Sequence, residues 1–186
     1  MKHWHSTLVG RQPYRPWLTD NGSLTAALKS RCPALQVKRL RQGLARPHAD
    51  ERTLLGLAPK AYALIREVIL LCDERPLVFA HSVIPRAGLA GPWRSLSRLG
   101  NRPLGEALFA DPRIVRRPLQ YRRLDRRHPL YRCAVSQLTM RPRCLWARRS
   151  VFCRDGYPIL VTEVFLPEVL HLNDKTHALV QRHDLD

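Results

Sequence analysis

The stretch YPILVTEVFLP, Tyr157–Pro167, decides the fold of this chain. Both alternating sets of its side chains are largely apolar, which predicts a central strand covered on both faces. Asp155-Gly156 precedes it as a strong two-residue hairpin signal, so Cys144–Cys153 is the predicted partner strand. Glu163 stands in this apolar run, and a buried carboxylate is costly unless it is paired, hydrogen-bonded or neutral. Glu163 is therefore either a structural residue, facing water or bonded to a neighbouring arginine, or part of a functional site.

The composition is that of a folded protein. The chain has 186 residues, of which 45% are apolar, and this allows a substantial core and excludes a disordered chain. No run reaches the ~18 apolar residues of a membrane span. The N-terminus, MKHWHSTLVGRQPYRPWL, lacks the charged-then-apolar layout of a signal peptide. We therefore expect a cytoplasmic protein with a single domain over residues 1–186, with tails at 1–16 and 171–186.

The charge is strongly basic. The formal net charge is +17, and arginine supplies almost all of the positive charge. Such a balance favours anionic partners such as nucleic acid. The arginines are spread along the chain, however, and the sequence contains neither an RRM-type aromatic motif nor a convincing helix-turn-helix. We interpret the charge as a solvated basic surface.

The cysteines and histidines give weak signals. The five cysteines include no CxxC pair, so the sequence predicts neither a disulfide framework nor a zinc knuckle. Cys72 and Cys153 lie in apolar runs and are predicted to be core thiols. His3 and His5 form an HxH pair that can bind a metal weakly, but a flexible terminus is the favoured interpretation.

Turn residues and hydrophobic patterning predict an α+β chain. Ser23 can cap a helix over Leu24–Ser30, and Pro103 can open a short helix over Leu104–Phe109. Ala61–Cys72 also admits a helix, but its β-branched residues and the turn after it favour a strand. Further strands are predicted at Leu35–Leu44, Leu77–Ile84 and Arg113–Leu124.

The remaining segments are predicted to be irregular. Residues 1–17 and Ala45–Ala58 are expected to be loops. The Arg-rich segment Asp125–Arg143 is expected to be an insertion beyond the compact core, with a short strand at Tyr131–Gln137. The resulting fold class is α+β, an antiparallel sheet of about six strands with helices packed on it.

Two ionisable residues, Arg66 and Glu163, stand inside long apolar runs. If both side chains face one cavity, they either pair with each other or bind opposite ends of a polar ligand. The planar guanidinium of arginine suits a carboxylate, and a glutamate suits a hydroxyl group as acceptor or proton donor. The residues alone indicate a pocket for a hydroxylated carboxylic acid.

Several motifs occur in a fixed order along the chain: REVILLC (Arg66–Cys72), SVIP (Ser82–Pro85), LGNRPLGEALF (Leu99–Phe109), ARRS (Ala147–Ser150) and LVTEVFLP (Leu160–Pro167). In this order and with this spacing they resemble the motifs of the chorismate–pyruvate lyase family. The resemblance covers residues 17–167 and is dense over 62–110 and 146–167.

The resemblance implies an enzyme that converts chorismate to 4-hydroxybenzoate and pyruvate, the first committed step toward ubiquinone in bacteria. The family uses no metal and no organic cofactor, and its pattern suggests a monomer. Its ligand is sealed in an internal cavity under helical flaps. The helix Leu24–Ser30 is the candidate flap here.

The resemblance also implies the site. The residues expected to bind substrate or product are Leu24, Arg66, Leu104 and Glu163. Arg66 is expected to clamp the ring carboxylate, and Glu163 to hold the 4-hydroxyl group and exchange a proton, so these two are the candidate catalytic residues. The candidates for a second cation, which the enolpyruvyl carboxylate needs, are Arg116, Arg148 and Arg149. A well-known family member has Met at the position of Leu24 and Arg at that of His81.

Two other classes of function are compatible with parts of the sequence. A noncatalytic sensor module of the same fold would bind a small carboxylate, but as a regulator it would need a DNA-binding helix-turn-helix. A nucleic-acid-binding protein is suggested by the net charge alone, and it would show strongly salt-dependent binding.

Overall fold

One antiparallel sheet organises the chain. The computed structural model describes residues 3–172. Its strands are β1 (Gln36–Ala45), β2 (Ala63–Cys72), β3 (Arg75–Pro85), β4 (Val115–Arg116), β5 (Gln120–Leu124), β6 (Leu145–Arg154) and β7 (Tyr157–Phe165). The order across the sheet is β1-β2-β3-β7-β6-β4, with β5 also paired to β6. The predicted α+β class is confirmed, with seven strands in the described span.

The stretch around Glu163 is the centre of this sheet. Strand β7 lies between β3 and β6 and is antiparallel to both. The Asp155-Gly156 turn joins β6 to β7, and both residues have positive φ, 52° and 81°. Positive φ at both central residues matches the right-handed twist of the strands, as in the favoured two-residue hairpins. The predicted hairpin is confirmed.

Alternation along the strands gives the sheet two different faces. We call one the cavity face, and its polar residues on the four central strands include Arg66, Ser82, Arg148, Ser150 and Glu163. We call the other the histidine face, and its polar residues at neighbouring positions are Glu67, His81, Arg149 and Thr162.

Short helices cover both faces. They are α1 (Arg15–Thr19), α2 (Leu24–Lys29), α3 (Ala49–Leu54), α4 (Arg86–Ala90), α5 (Leu104–Ala110) and α6 (Pro129–Val135), with 3₁₀ turns at Arg94–Arg98 and Pro167–Leu170. Helices α2 and α5 lie over the cavity face. Helices α3 and α6 lie over the histidine face, where α6 packs against Ile69 and Phe79.

Three irregular segments were predicted wrongly. Residues 1–17 contain the start of α1, and Ala45–Ala58 contains α3. The predicted strand Tyr131–Gln137 is the helix α6, and its apolar side chains are buried in the core, so this part of Asp125–Arg143 is no excursion. The i, i+1, i+4, i+5 spacing of Leu130, Tyr131, Ala134 and Val135 is typical of a helix with one buried face.

The prediction of a free core thiol at Cys72 was also wrong. Cys72 forms a disulfide with Cys32, across a sequence separation of 40 residues. Cys32 follows α2 and Cys72 ends β2, so the disulfide ties the segment after α2 to the sheet. The spacing of the two cysteines gave no sign of this pairing, because only the fold brings them together.

Two further observations concern the limits of the described span. Within residues 3–172, no helix is both long enough and apolar enough to cross a membrane. The predicted C-terminal tail, from residue 173 onward, lies outside the described residues.

Candidate active site

A cavity lies between the cavity face of the sheet and helices α2 and α5. Its walls include all four residues expected to bind a ligand: Leu24, Arg66, Leu104 and Glu163. The volume of the cavity that is open to the centres of water molecules is about 50 Å³. About 10–15 Å³ of such space holds one water, so the cavity has room for a few waters or one small ring.

Glu163 is paired with an arginine that the sequence offered only as one of three candidates. Nε of Arg148 donates to Oε2 of Glu163 at 2.5 Å. Nη1 of Arg148 donates to the carbonyls of Trp17, at 2.8 Å, and Asp20, at 2.6 Å. The Arg148 side chain is 1% exposed, whereas that of Glu163 is 18% exposed and lines the cavity. Glu163 therefore has both a structural partner and an open side.

Arg66 is a buried cation held by carbonyl groups. Its Nη2 donates to the carbonyls of Gly100, at 3.1 Å, and Arg102, at 2.9 Å. In the described chain it has no carboxylate within ion-pair distance, and its buried Nε has no hydrogen-bond partner. Burial, with a smaller contribution from Arg39, lowers the pKa of Arg66 to about 10. Arg66 does not pair with Glu163, so that alternative from the sequence is excluded.

The other two candidate cations, Arg116 and Arg149, lie on opposite faces of the sheet. Arg116 lines the cavity, where its guanidinium lies over the rings of Phe109 and Phe152. Nη1 of Arg116 donates to the carbonyl of Asn21 at 2.7 Å, and burial together with Arg148 lowers its pKa. Arg149 is on the histidine face, because adjacent residues of a strand point to opposite sides.

The charges around the cavity do not balance. Arg66, Arg116 and Arg148 face it with one carboxylate, Glu163, which leaves a formal excess of two positive charges in the described lining. Each of the three guanidinium groups also has one buried nitrogen without a hydrogen-bond partner among the described residues. Such an arrangement is costly without a ligand and suits an anion that accepts several hydrogen bonds.

Two short helices close the cavity on the side away from the sheet. Leu24 is the first residue of α2 and Leu104 the first of α5, and both are buried. Ser23 caps α2 by accepting from the N–H of Ala26. A Cβ at Gly105 would stand 3.2 Å from Oγ1 of Thr25, so glycine lets the helices approach closely. An ion pair between Lys29 and Glu106 also links them.

The histidine face holds a second group of buried charges. His81 is 2% exposed, with Nδ1 3.1 Å from Oε1 of Glu67 and Nε2 3.1 Å from Oε1 of Glu51. Burial alone would lower the pKa of His81, but the two carboxylates outweigh it and raise the pKa to about 9. Nearby, Nη1 of Arg149 donates to Oδ2 of Asp50 at 2.9 Å.

The sequence missed the pairing role of Arg148. Its candidates included both Arg148 and Arg149, and period-two alternation already required one of them to share the face of Glu163. Register decides which one: Arg148 is opposite Glu163 across the β6–β7 pair. The hairpin turn fixes this register, so the signal was present in the Asp155-Gly156 spacing.

Comparisons with known sequences agree on one family. The family model described as "Chorismate lyase" matches residues 11–175. Three proteins named "Probable chorismate pyruvate-lyase" are similar to the chain. The protein of Thiobacillus denitrificans is 54% identical, covering 84% of this chain and 83% of that protein. The protein of Aromatoleum aromaticum is 52% identical (85% and 86%), and that of Methylobacillus flagellatus 46% identical (91% and 95%).

Comparisons with solved structures show the same fold at low sequence identity. The effector domain of PhnF from Mycobacterium smegmatis matches with a TM-score of 0.51 and 15% identity, covering 79% of this chain and 90% of that one. The effector binding domain of the Bacillus subtilis trehalose repressor matches with a TM-score of 0.52 and 7% identity, covering 70% and 89%. At these identities the likeness concerns the fold alone.

Proposed function

The chain belongs to the chorismate lyase family, and we propose that its cavity converts chorismate into 4-hydroxybenzoate and pyruvate. It is a carbon–oxygen lyase, and the reaction is the first committed step toward ubiquinone. One observation carries the assignment to this cavity: two buried arginines, Arg66 and Arg148, and the half-buried Arg116 surround one carboxylate, a formal excess of two positive charges, and each has a nitrogen without a hydrogen-bond partner among the described residues. Chorismate is a dianion with a ring carboxylate and an enolpyruvyl carboxylate, so its charge complements that of the cavity.

The spacing of Arg66 and Glu163 supports their roles at opposite ends of the ring. Arg66 is on β2 and Glu163 on β7, with β3 between them. Two strand spacings separate them laterally by about 10 Å. The small side chains of Ala80 and Ser82 lie between them on β3 and leave room for a ring. A ring carboxylate at Arg66 then directs the 4-hydroxyl group toward Glu163.

The reaction needs little chemistry from the protein. The C4–H bond breaks and its electron pair completes the aromatic ring, while the C3–O bond breaks and releases enolpyruvate. The proton lost from C4 balances the proton that enolpyruvate gains on becoming pyruvate. Glu163, which holds the 4-hydroxyl group, is the group placed to exchange that proton. Aromatisation supplies much of the driving force, so the protein contributes mainly position and a water-excluding cavity.

Arg116 is the proposed partner of the enolpyruvyl carboxylate. Arg148 uses Nε on Glu163 and Nη1 on two carbonyls, which commits most of its donors. Arg149 is on the opposite face. Arg116 has one carbonyl contact, lies over two phenyl rings and lines the cavity, which supports it as the second clamp.

A single assay tests the proposal. Purified protein is mixed with chorismate, and 4-hydroxybenzoate and pyruvate are measured together. Equal amounts of both products are expected, with no added metal or cofactor. Binding of chorismate or 4-hydroxybenzoate without turnover would contradict the lyase and support the sensor alternative; salt-dependent binding to nucleic acid without turnover would support the basic-surface alternative.

The proposal extends to the number of domains, the oligomeric state, the location and the flap of the protein. We expect a single domain, a monomer and a cytoplasmic location. Helix α2 is the proposed flap, since Leu24 covers the cavity and the helix must move to admit a substrate larger than the space it encloses.

A further inference from the structure

A group of metal-ligating side chains lies on the histidine face, on the opposite side of the sheet from the cavity. His48, Glu51 and His81 each present one ligand atom, and these atoms lie within 4.8 Å of one another. His81 and Glu51 are both 2% exposed, and His48 is half-buried. We propose that this group binds a divalent transition metal, with zinc as the best-matched ion, held by His48, Glu51 and His81.

The contact between Glu51 and His81 is arranged better for a metal than for a hydrogen bond. Nε2 of His81 and Oε1 of Glu51 are 3.1 Å apart, yet both atoms are buried and neither has a well-oriented hydrogen-bond partner among the described residues. Two ligand atoms about 2.0–2.1 Å from a tetrahedral zinc ion lie roughly 3.3 Å apart. A metal between the two atoms would satisfy both, in place of the proton on Nε2.

The ligands are oriented by further contacts, as is usual around protein-bound metals. Nδ1 of His81 is 3.1 Å from Oε1 of Glu67, a carboxylate–histidine contact that directs Nε2 toward the metal. Oε2 of Glu51 accepts from the backbone N–H of His48 at 2.8 Å, which directs Oε1 toward His81. The two carboxylates, Glu51 and Glu67, together match the charge of a divalent cation.

The third ligand is adjustable and reaches solvent. The ring of His48 is stacked on that of His81, with centroids 5.6 Å apart and planes at 24°. Since coordination occurs in the plane of the ring, His48 must turn to bind the same ion, and its half-exposed position permits this. His48 also lines an open surface pocket with Asp50 and His128, which gives the metal an entry path.

The set of ligands indicates the class of metal. Two imidazoles and one carboxylate are the three protein ligands found at zinc sites that keep a fourth position for water. Oxygen-only ions such as Mg²⁺ and Ca²⁺ prefer carboxylate and carbonyl ligands. The metal would fix α3, which carries Glu51, to β3, which carries His81, and it would have no part in the reaction on the other face.

Zinc titration of the full chain tests the proposal. The protein is stripped with a chelator and titrated with Zn²⁺ against a chromophoric competitor, and its melting temperature is measured with and without zinc. We expect one site of micromolar or tighter affinity and a rise of several degrees in melting temperature. Absence of zinc binding by the wild-type chain would overturn the proposal and leave His81 as a protonated partner of the two carboxylates.

Variants separate this site from the terminal HxH pair. His48→Ala removes the most exposed ligand and should weaken zinc binding at least tenfold and abolish the rise in melting temperature. His48→Cys supplies another zinc ligand and should restore both. His3→Ala/His5→Ala, the matched control, should bind zinc like the wild type. Loss of zinc binding in this control, with full binding retained by His48→Ala, would assign the metal to the terminus and overturn the proposal.

Discussion

The two faces of the sheet bury charge in different ways. On the cavity face, three arginines meet one glutamate, and each guanidinium keeps a nitrogen without a partner in the described chain. On the histidine face the buried charges have partners of opposite sign: His81 lies between Glu51 and Glu67, and Arg149 pairs with Asp50. The cavity face therefore lacks negative charge, and an anionic ligand can supply it.

The difference teaches which buried charges are structural. Arg148 and Arg149 are neighbours in sequence, and each has a carboxylate partner, Glu163 or Asp50. Arg149 also donates to Gln120 and lies over the ring of Trp4, so neighbouring side chains supply the contacts of its guanidinium group. The Arg148–Glu163 pair instead opens onto a cavity that holds two more cations. A buried ion pair alone is weak evidence of function; an incomplete group of charges beside a cavity is stronger.

The largest expected effect is that of Glu163→Gln. The variant should fold, because Arg148 keeps its contacts with the carbonyls of Trp17 and Asp20. Turnover of chorismate should fall by about 10²–10⁴-fold, since the amide cannot exchange the proton. The rate is measured by the formation of 4-hydroxybenzoate, with circular dichroism to confirm folding.

Asp50→Asn is the matched control on the histidine face, because it also changes an arginine-paired carboxylate into an amide. It should leave turnover within about twofold of the wild type, since it is separated from the cavity by the sheet. Near-wild-type turnover in Glu163→Gln would return Glu163 to a purely structural role.

Arg66→Ala should have the next largest effect. Loss of the carboxylate clamp should weaken binding of 4-hydroxybenzoate about 100-fold, because a charge-assisted pair of hydrogen bonds is lost. Titration calorimetry measures the affinity. Arg149→Ala is the control: it should lower the melting temperature, because the contacts of Arg149 with Asp50, Gln120 and Trp4 are lost, while the affinity for 4-hydroxybenzoate stays unchanged. An unchanged affinity in Arg66→Ala refutes the clamp.

Arg116→Gln should distinguish substrate from product. If Arg116 binds the enolpyruvyl carboxylate, KM for chorismate should rise about tenfold, because one charge-assisted contact is lost. The affinity for 4-hydroxybenzoate, which lacks that carboxylate, should change by less than about threefold. The exposed neighbour Arg117 serves as control, and Arg117→Gln should change neither quantity. Equal losses for substrate and product would assign Arg116 to the ring instead.

The smallest effect is expected at the apolar wall. Leu24→Met keeps an apolar side chain of similar volume, so turnover and product affinity should stay within about threefold of the wild type. Leu55→Met, a comparable change in the core of the histidine face, should be equally mild. A tenfold loss at Leu24 alone would show that the wall selects ligands by shape, contrary to this prediction.

Much of the sheet was predictable from the chain. The Asp155-Gly156 turn and the apolar runs predicted the central hairpin, and Ser23 and Pro103 marked the starts of α2 and α5. The errors fall on α1 and α3, which were predicted to be loops, and on α6, which was predicted to contain a strand. Helices of five to seven residues are marginal by themselves, so burial against the rest of the fold, rather than local propensity, makes them form.

The sequence by itself determined the central strands, the family resemblance and the two charges, Arg66 and Glu163, that interrupt apolar runs. Only the tertiary structure decided how these charges are used. The order of the strands placed β3 between Arg66 on β2 and Glu163 on β7, so these two do not pair, and the fold brought Cys32 to Cys72. Pairing between distant residues depends on which strands become neighbours, and local patterns in a chain do not contain that information.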